Sequence, residues 1–205
     1  MSRRVVLLRH GRTSWNAVHR VQGQAESELD DLGRRQAADA ARVLARLEPA
    51  ALHSSDSLRA RQTAGFLAEV AGLEVRPDPR LREYFLAERQ GLTHAEYAAL
   101  APEEFEEFRR GNFDVVPGGE SAEEVAARMV EAVADLLAAV PDGGLGVAVS
   151  HGAAIRDAVP ALVGWPVTER AVLRGLDNCA WVVLDALEPG APLRLTAYNR
   201  TVTPA

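Results

Sequence analysis

Apolar and polar positions along this chain follow two periods, and the periods succeed one another in a regular order. Val5 to Leu8 is an unbroken apolar run that meets Arg9, His10 and then Gly11. That is the pattern of a strand buried on both faces whose C-terminal end opens into a loop. From Asp31 to Leu47 the apolar positions Ala37, Ala40, Ala41, Leu44 and Leu47 recur at helical spacing, while Arg34, Arg35 and Arg42 lie off that stripe. The spacing predicts an amphipathic helix. Ala51 to Ser54 reads as a second strand, and a helix from about Ser57 to Val70 follows and stops at Gly72.

Val75 opens a further short extended piece before Pro77 and Pro79. Thr93 to Arg110 reads as two short helices split by Pro102, because proline has no N–H to give to a helix interior. Pro117, Gly118 and Gly119 break the chain, and the stretch at about 84–120 is expected to form a small helical lid. Ser121 and Glu124 then make a capping box ahead of a long stripe of Val125, Met129, Val133, Leu136 and Val140. Leu145 to Val149 is a second apolar run; it ends in Ser150, His151 and Gly152 and leads into a helix from about Ala154 to Val163. Strand-like stretches at Ala180 to Leu184 and Leu193 to Ala197 close the chain. This alternation predicts an α/β fold with a mostly parallel central sheet, helices on both faces and ligand binding at the C-terminal strand ends. No repeat or linker divides the chain, so one domain, 1–205, is expected.

Composition narrows the chemistry. The formal net charge of -6 leaves no basis for a broad basic face, so neither nucleic acid nor a membrane is an expected partner. All 23 basic residues are arginine. Any anion must therefore be held by guanidinium, whose planar fork matches two oxygens of a phosphate. The single cysteine, Cys179, has no partner for an intramolecular disulfide, and no Cys/His cluster has metal-ligand spacing. A reducing, cytoplasmic setting fits; Val5 to Leu8 is too short for the core of a secretion signal, and no apolar stretch reaches membrane-spanning length.

Two predicted strand ends deliver a histidine followed by glycine, His10-Gly11 and His151-Gly152. In a parallel sheet such ends lie on one edge, so the two imidazoles can meet over one ligand, each glycine letting the backbone approach closely. A lone histidine is more often a satisfied core or loop residue; the equivalent placement of two favours function.

The segment Leu8-Arg9-His10-Gly11-Arg12-Thr13-Ser14-Trp15-Asn16 resembles the L-R-H-G-x-T-x-x-N motif of the histidine phosphatase superfamily, also called the phosphoglycerate mutase-like family. Companion motifs follow in order: Ser55-Asp56-Ser57-Leu58-Arg59-Ala60-Arg61-Gln62-Thr63-Ala64, then Leu81-Arg82-Glu83, then Ser150-His151-Gly152, with Gln22-Gly23 and Leu32-Gly33-Arg34 also matching. The resemblance implies a three-layer sandwich and a phosphomonoester hydrolase that needs no metal and no other cofactor. Position by position, it implies that His10 attacks phosphorus and that Arg9, Arg59 and His151 hold the non-bridging oxygens. Asn16, Gln22, Gly23 and the backbone near Gly152 would complete the phosphate pocket, and Glu83 would protonate the departing alkoxide and then activate water. An imidazole is nucleophilic only when neutral, and two nearby arginines favour that form.

The implied substrate is a small-molecule phosphate ester, with glucosyl-3-phosphoglycerate or another sugar phosphate as candidates. Two alternatives share the machinery: mutase-type phosphoryl transfer, and a non-catalytic module that binds phosphorylated ligands. Glycerate mutases use a longer insertion between the positions of Glu83 and His151 to exclude water, which favours hydrolysis here. A homodimer is left open. Where related phosphatases carry glycine and tryptophan after the acid, this chain has Ala87 and Arg89, which bears on the leaving-group pocket; Asp30 replaces a common threonine and is placed to cap the next helix. His19, His53 and His94 match no motif, although His94 lies in the lid stretch.

Overall fold

A computed structural model describes residues 2–166, 171–188 and 190–202. Its strands are β1 (Arg3–Arg9), β2 (Ala51–Ser54), β3 (Val75–Pro77), β4 (Leu145–Ser150), β5 (Trp181–Ala186) and β6 (Arg194–Arg200). Its helices are α1 (Ser14–Ala17), α2 (Asp31–Ala45), α3 (Leu58–Ala71), α4 (His94–Leu100), α5 (Pro102–Arg109), α6 (Ala122–Ala139) and α7 (Gly152–Leu162). The strands form one sheet in the order β3-β2-β4-β1-β5-β6. The first four run parallel and the last two pairings are antiparallel, so the expected mostly parallel sheet carries an antiparallel edge.

The run in β1 is continuous because both faces of that strand are covered. Val5 and Leu7 belong to a core shared with α6 and α7, whereas Val6 and Leu8 belong to a core shared with α2 and α3. All four are buried. The result is three layers, helices on sheet on helices, as the resemblance implies.

Local signals set the helix ends. The Asp30 carboxylate accepts from the Gly33 N–H at 2.8 Å and starts α2, as placed. Leu47, counted in that helix's stripe, lies beyond its end and is exposed, since the chain turns after Ala45. Ser121 and Glu124 form the capping box of α6, and Pro102 occupies the first turn of α5, where its missing N–H costs nothing. In the lid an aromatic cluster joins α4 to α5, with Tyr97 5.2 Å from Phe105 and 5.0 Å from Phe108.

One feature of the topology positions the site. After β1 the chain reaches α2 on one face of the sheet, and after β4 it enters α7 on the other, although β1 and β4 are neighbours. The chain therefore parts between two adjacent strand ends and opens a crevice there.

Candidate active site

Arg9 and Ser150 face each other across β1 and β4, so His10 and His151 leave the sheet side by side. Their ring centroids are 5.2 Å apart at an interplanar angle of 62°, and both rings are buried. The crevice holds a cavity of about 260 Å³ bordered by Arg9, His10, Asn16, Gln22, Gly23, Arg59, Glu83 and Gly152. The two rings stand edge to face, so His151 lies directly beside His10.

The hydrogen bonds fix what each imidazole offers. His10 Nδ1 lies 2.7 Å from the Gly11 carbonyl. A carbonyl only accepts, so Nδ1 carries the proton and Nε2 keeps its lone pair. Burial above all, then Arg59 and Arg9, holds the His10 pKa well below 6.5. His151 Nε2 lies 2.9 Å from Ser55 Oγ, and its Nδ1 is buried with no hydrogen-bond partner among the described residues. Burial, followed by Arg59, likewise keeps His151 neutral. Nδ1 is thus the ring nitrogen of His151 that the protein leaves to a ligand.

Arg59 is fully buried; Nη1 donates to the Ala25 carbonyl at 2.8 Å and Nη2 to that of Gly23 at 2.6 Å. Arg9 donates Nη1 to the Leu176 carbonyl. Among the described residues neither guanidinium has a carboxylate partner within salt-bridge distance, and the Nε of each is buried without a hydrogen bond. Burial pulls the Arg59 pKa down to about 10 and lowers that of Arg9. Burying an uncompensated cation costs several kcal/mol, about the effective penalty per ion in proteins. Such a cost is offset when an anion binds between the two.

The amides point the same way. Asn16 Oδ1 accepts from the Thr13 N–H at 3.1 Å, and Gln22 Oε1 accepts from the Ser27 hydroxyl at 2.7 Å. With their oxygens tied to protein donors, both side chains turn N–H groups to the cavity. Gly152 leaves room for Arg9, since a Cβ there would sit 3.1 Å from Arg9 Nε. Gly11 serves packing instead of ligand approach: a Cβ on it would lie 2.5 Å from the Gly33 carbonyl oxygen. Glu83 rests on the first turn of α7, Oε1 accepting from the Ala154 N–H at 2.8 Å and Oε2 from the Ala153 N–H at 3.1 Å. The assembly thus sets one imidazole lone pair, two guanidiniums and one carboxylate around a pocket the size of a small anion with its substituent.

The sequence matches the family model described as Histidine phosphatase superfamily (branch 1) over residues 5–199. The chain belongs to that superfamily. It is 43% identical over 190 residues, 89% of this chain and 85% of the relative, to the glucosyl-3-phosphoglycerate phosphatase of Mycobacterium tuberculosis. It is 36% identical over 189 residues, 90% of this chain and 85% of the relative, to a probable phosphoglycerate mutase, GpmB, of Enterobacter sp.. Among solved structures, the mycobacterial glucosyl-3-phosphoglycerate phosphatase in complex with VO3 superposes with a TM-score of 0.90 at 42% identity, covering 97% of this chain and 100% of that one. The expectations of fold, superfamily and phosphatase are borne out.

In this histidine phosphatase, several residues that hold the site in place carried no motif of their own. Arg128, on α6, donates to the carbonyls of Arg80, Arg82 and Glu83 at 2.8, 2.6 and 3.0 Å and so fastens the segment that presents Glu83. Asn178 donates to the His10 carbonyl at 3.2 Å. Ser55 lies inside the second motif, and its contact with His151 is visible only in the fold. Ala87 takes a positive φ of 43°, the geometry glycine favours, and Arg89 pairs with Glu104 at 2.8 Å while lying over Tyr97. Neither borders the cavity, so these departures reshape the lid's own packing; His94 does border it.

Two expected outcomes follow from this geometry. Ser55→Ala leaves His151 Nε2 without its fixed partner and is expected to lower kcat/KM about five- to tenfold, the equivalent of one hydrogen bond of about 1 kcal/mol, in steady-state assays. The second concerns pH. His10 and His151 stay neutral in the native state well below 6.5, whereas unfolded histidine titrates near that value. Below pH 6.5 the unfolded state therefore binds more protons, and stability falls as pH falls. Urea melts at pH 7.5 and pH 5 are expected to show lower stability at pH 5, with the difference reduced in His10→Asn.

Proposed function

We propose that this phosphatase hydrolyses small phosphate monoesters through a phosphohistidine on His10, with no metal ion, and that glucosyl-3-phosphoglycerate or a related sugar phosphate is its substrate. The observation that carries the reading is the pair of guanidiniums, Arg59 buried and Arg9 half-buried, lacking carboxylate partners among the described residues and set beside a neutral imidazole lone pair. Substrate phosphate supplies the negative charge in direct contact that these two guanidiniums lack. In the first step His10 Nε2 bonds to phosphorus, the P–O ester bond breaks, and Glu83 gives its proton to the departing alkoxide. Arg9, Arg59 and His151 hold the equatorial oxygens, with Asn16, Gln22 and the Gly152 backbone around them. In the second step Glu83 takes a proton from water as its oxygen bonds to phosphorus; the P–N bond breaks, releasing inorganic phosphate and neutral His10.

The identity to the mycobacterial phosphatase supports the sugar-phosphate assignment. The working unit proposed is one catalytic domain in the cytoplasm, alone or as a homodimer. Cys179, a buried thiol pushed up to about 12 by burial, fits an enzyme that uses no disulfide. A module that only binds phosphorylated partners would not need the lone pair of His10 opposite a seated carboxylate. Turnover of a panel of phosphate esters in EDTA tests the proposal. Phosphate release is expected throughout, with the highest kcat/KM on glucosyl-3-phosphoglycerate. Equal kcat/KM on all esters would remove the substrate assignment, and absence of turnover on every ester would remove the chemistry.

A further inference from the structure

The far wall of the cavity carries a charge that phosphoryl transfer does not use. Arg156 borders the cavity, two to three residues along α7 from the N–H groups of Ala153 and Ala154 that seat Glu83. Its side chain is 12% exposed. Nε and Nη2 form a fork on the Asp157 carboxylate at 2.5 and 3.0 Å, and Nη2 also donates to the Gly111 carbonyl at 2.8 Å. Asp157 is fixed in turn by the Tyr84 hydroxyl at 2.5 Å, and the guanidinium lies over the Phe113 ring at 5.3 Å. Gly111 makes space for the remaining nitrogen, since a Cβ there would stand 2.2 Å from Nη1. A guanidinium has five N–H groups. Three are spent in these bonds, and the two on Nη1 have no hydrogen-bond partner among the described residues.

The same cavity is lined by the apolar or aromatic side chains of Leu176, Phe108, Phe113 and His94. A rigid, clamped cation with unspent donors in such surroundings is suited to one anionic group of a bound molecule. Its place relative to Glu83 says which part of the molecule. Glu83 marks the ester oxygen, and Arg156 lies about 3–5 Å further along the helix at 1.5 Å of rise per residue. We infer that Arg156 is a specificity-determining residue that binds a carboxylate on the leaving alcohol, so that this enzyme prefers phosphate esters of hydroxycarboxylic acids to those of uncharged alcohols. The inference rests on the phosphohydrolase reading above and adds to it the residue that selects the leaving group.

The test compares 3-phosphoglycerate with glycerol 3-phosphate, which differ in a carboxylate against a hydroxymethyl group. The wild-type enzyme is expected to favour 3-phosphoglycerate in kcat/KM, and glycerate to inhibit turnover of p-nitrophenyl phosphate at lower concentration than glycerol. In Arg156→Gln the kcat/KM ratio of the two esters is expected to fall about 10- to 100-fold, the range for a charge-assisted hydrogen bond. Because that variant takes the Arg156 fork away from the buried Asp157 carboxylate, the double variant Arg156→Gln with Asp157→Asn is measured beside it and is expected to show the same fall. A wild-type enzyme that turns over both esters with equal kcat/KM, or a ratio that survives in a folded variant, would overturn the role of Arg156 and leave the phosphatase reading intact. Failure of the wild-type enzyme to release phosphate from either ester or from p-nitrophenyl phosphate would instead strike the reading on which it rests.

Discussion

His10→Ala is expected to reduce phosphate release by at least about 10⁴-fold, because removing a nucleophile removes the whole two-step route and leaves only binding and charge stabilisation. The same substitution leaves Arg9 and Arg59 in place, with their burial and backbone bonds. Inorganic phosphate should therefore still bind, which separates loss of chemistry from loss of the pocket. Phosphohistidine is stable in alkali, so wild-type enzyme mixed with radiolabelled ester and quenched in base should retain label on protein, and the variant should retain none. Label that persists in the variant would move the nucleophile elsewhere. His151, whose Nε2 is taken up by Ser55, would then be the residue to test.

Both histidines were legible because the signal for each is local. An apolar run of four or five residues that ends in two polar residues and glycine needs no knowledge of the rest of the chain, and the side-by-side placement of the two runs follows from strand alternation. The helices were legible for the same reason, through stripe and cap. The supporting contacts were not. Ser55 and His151 are 96 residues apart, and Arg128 is 45 residues from Glu83; in sequence each is one more polar residue on an otherwise ordinary element. Arg59 is the instructive case. Read by charge alone it belongs on the surface of an arginine-rich helix, and only the motif around it argued otherwise; in the fold it is fully buried. Burial of a cation is decided by which neighbours the topology supplies, and hydrophobic periodicity does not encode that. The antiparallel edge of β5 and β6 escaped for a related reason, since apolar runs report burial and not direction.

Glu83→Gln is expected to lower kcat about 10²- to 10⁴-fold on alkyl phosphates, the usual worth of a positioned acid or base. The loss should depend on the leaving group in a way that no general damage to the fold would reproduce. An alkoxide needs its proton as the P–O bond breaks, whereas p-nitrophenolate leaves without one, so on the aryl ester the first step should survive. The second step still lacks its base. The variant should therefore release a burst of p-nitrophenolate equal to the enzyme concentration and then stall with label trapped on His10. A uniform loss on both esters, with no burst, would show that Glu83 positions the site without moving a proton. The substitution also perturbs structure in a calculable direction: both carboxylate oxygens accept backbone N–H groups of α7, and an amide nitrogen turned toward one of them would set donor against donor. That mismatch is expected to cost about 1–3 kcal/mol of stability. A thermal melt measures it, and it acts equally on both esters, so the dependence on leaving group remains the decisive reading.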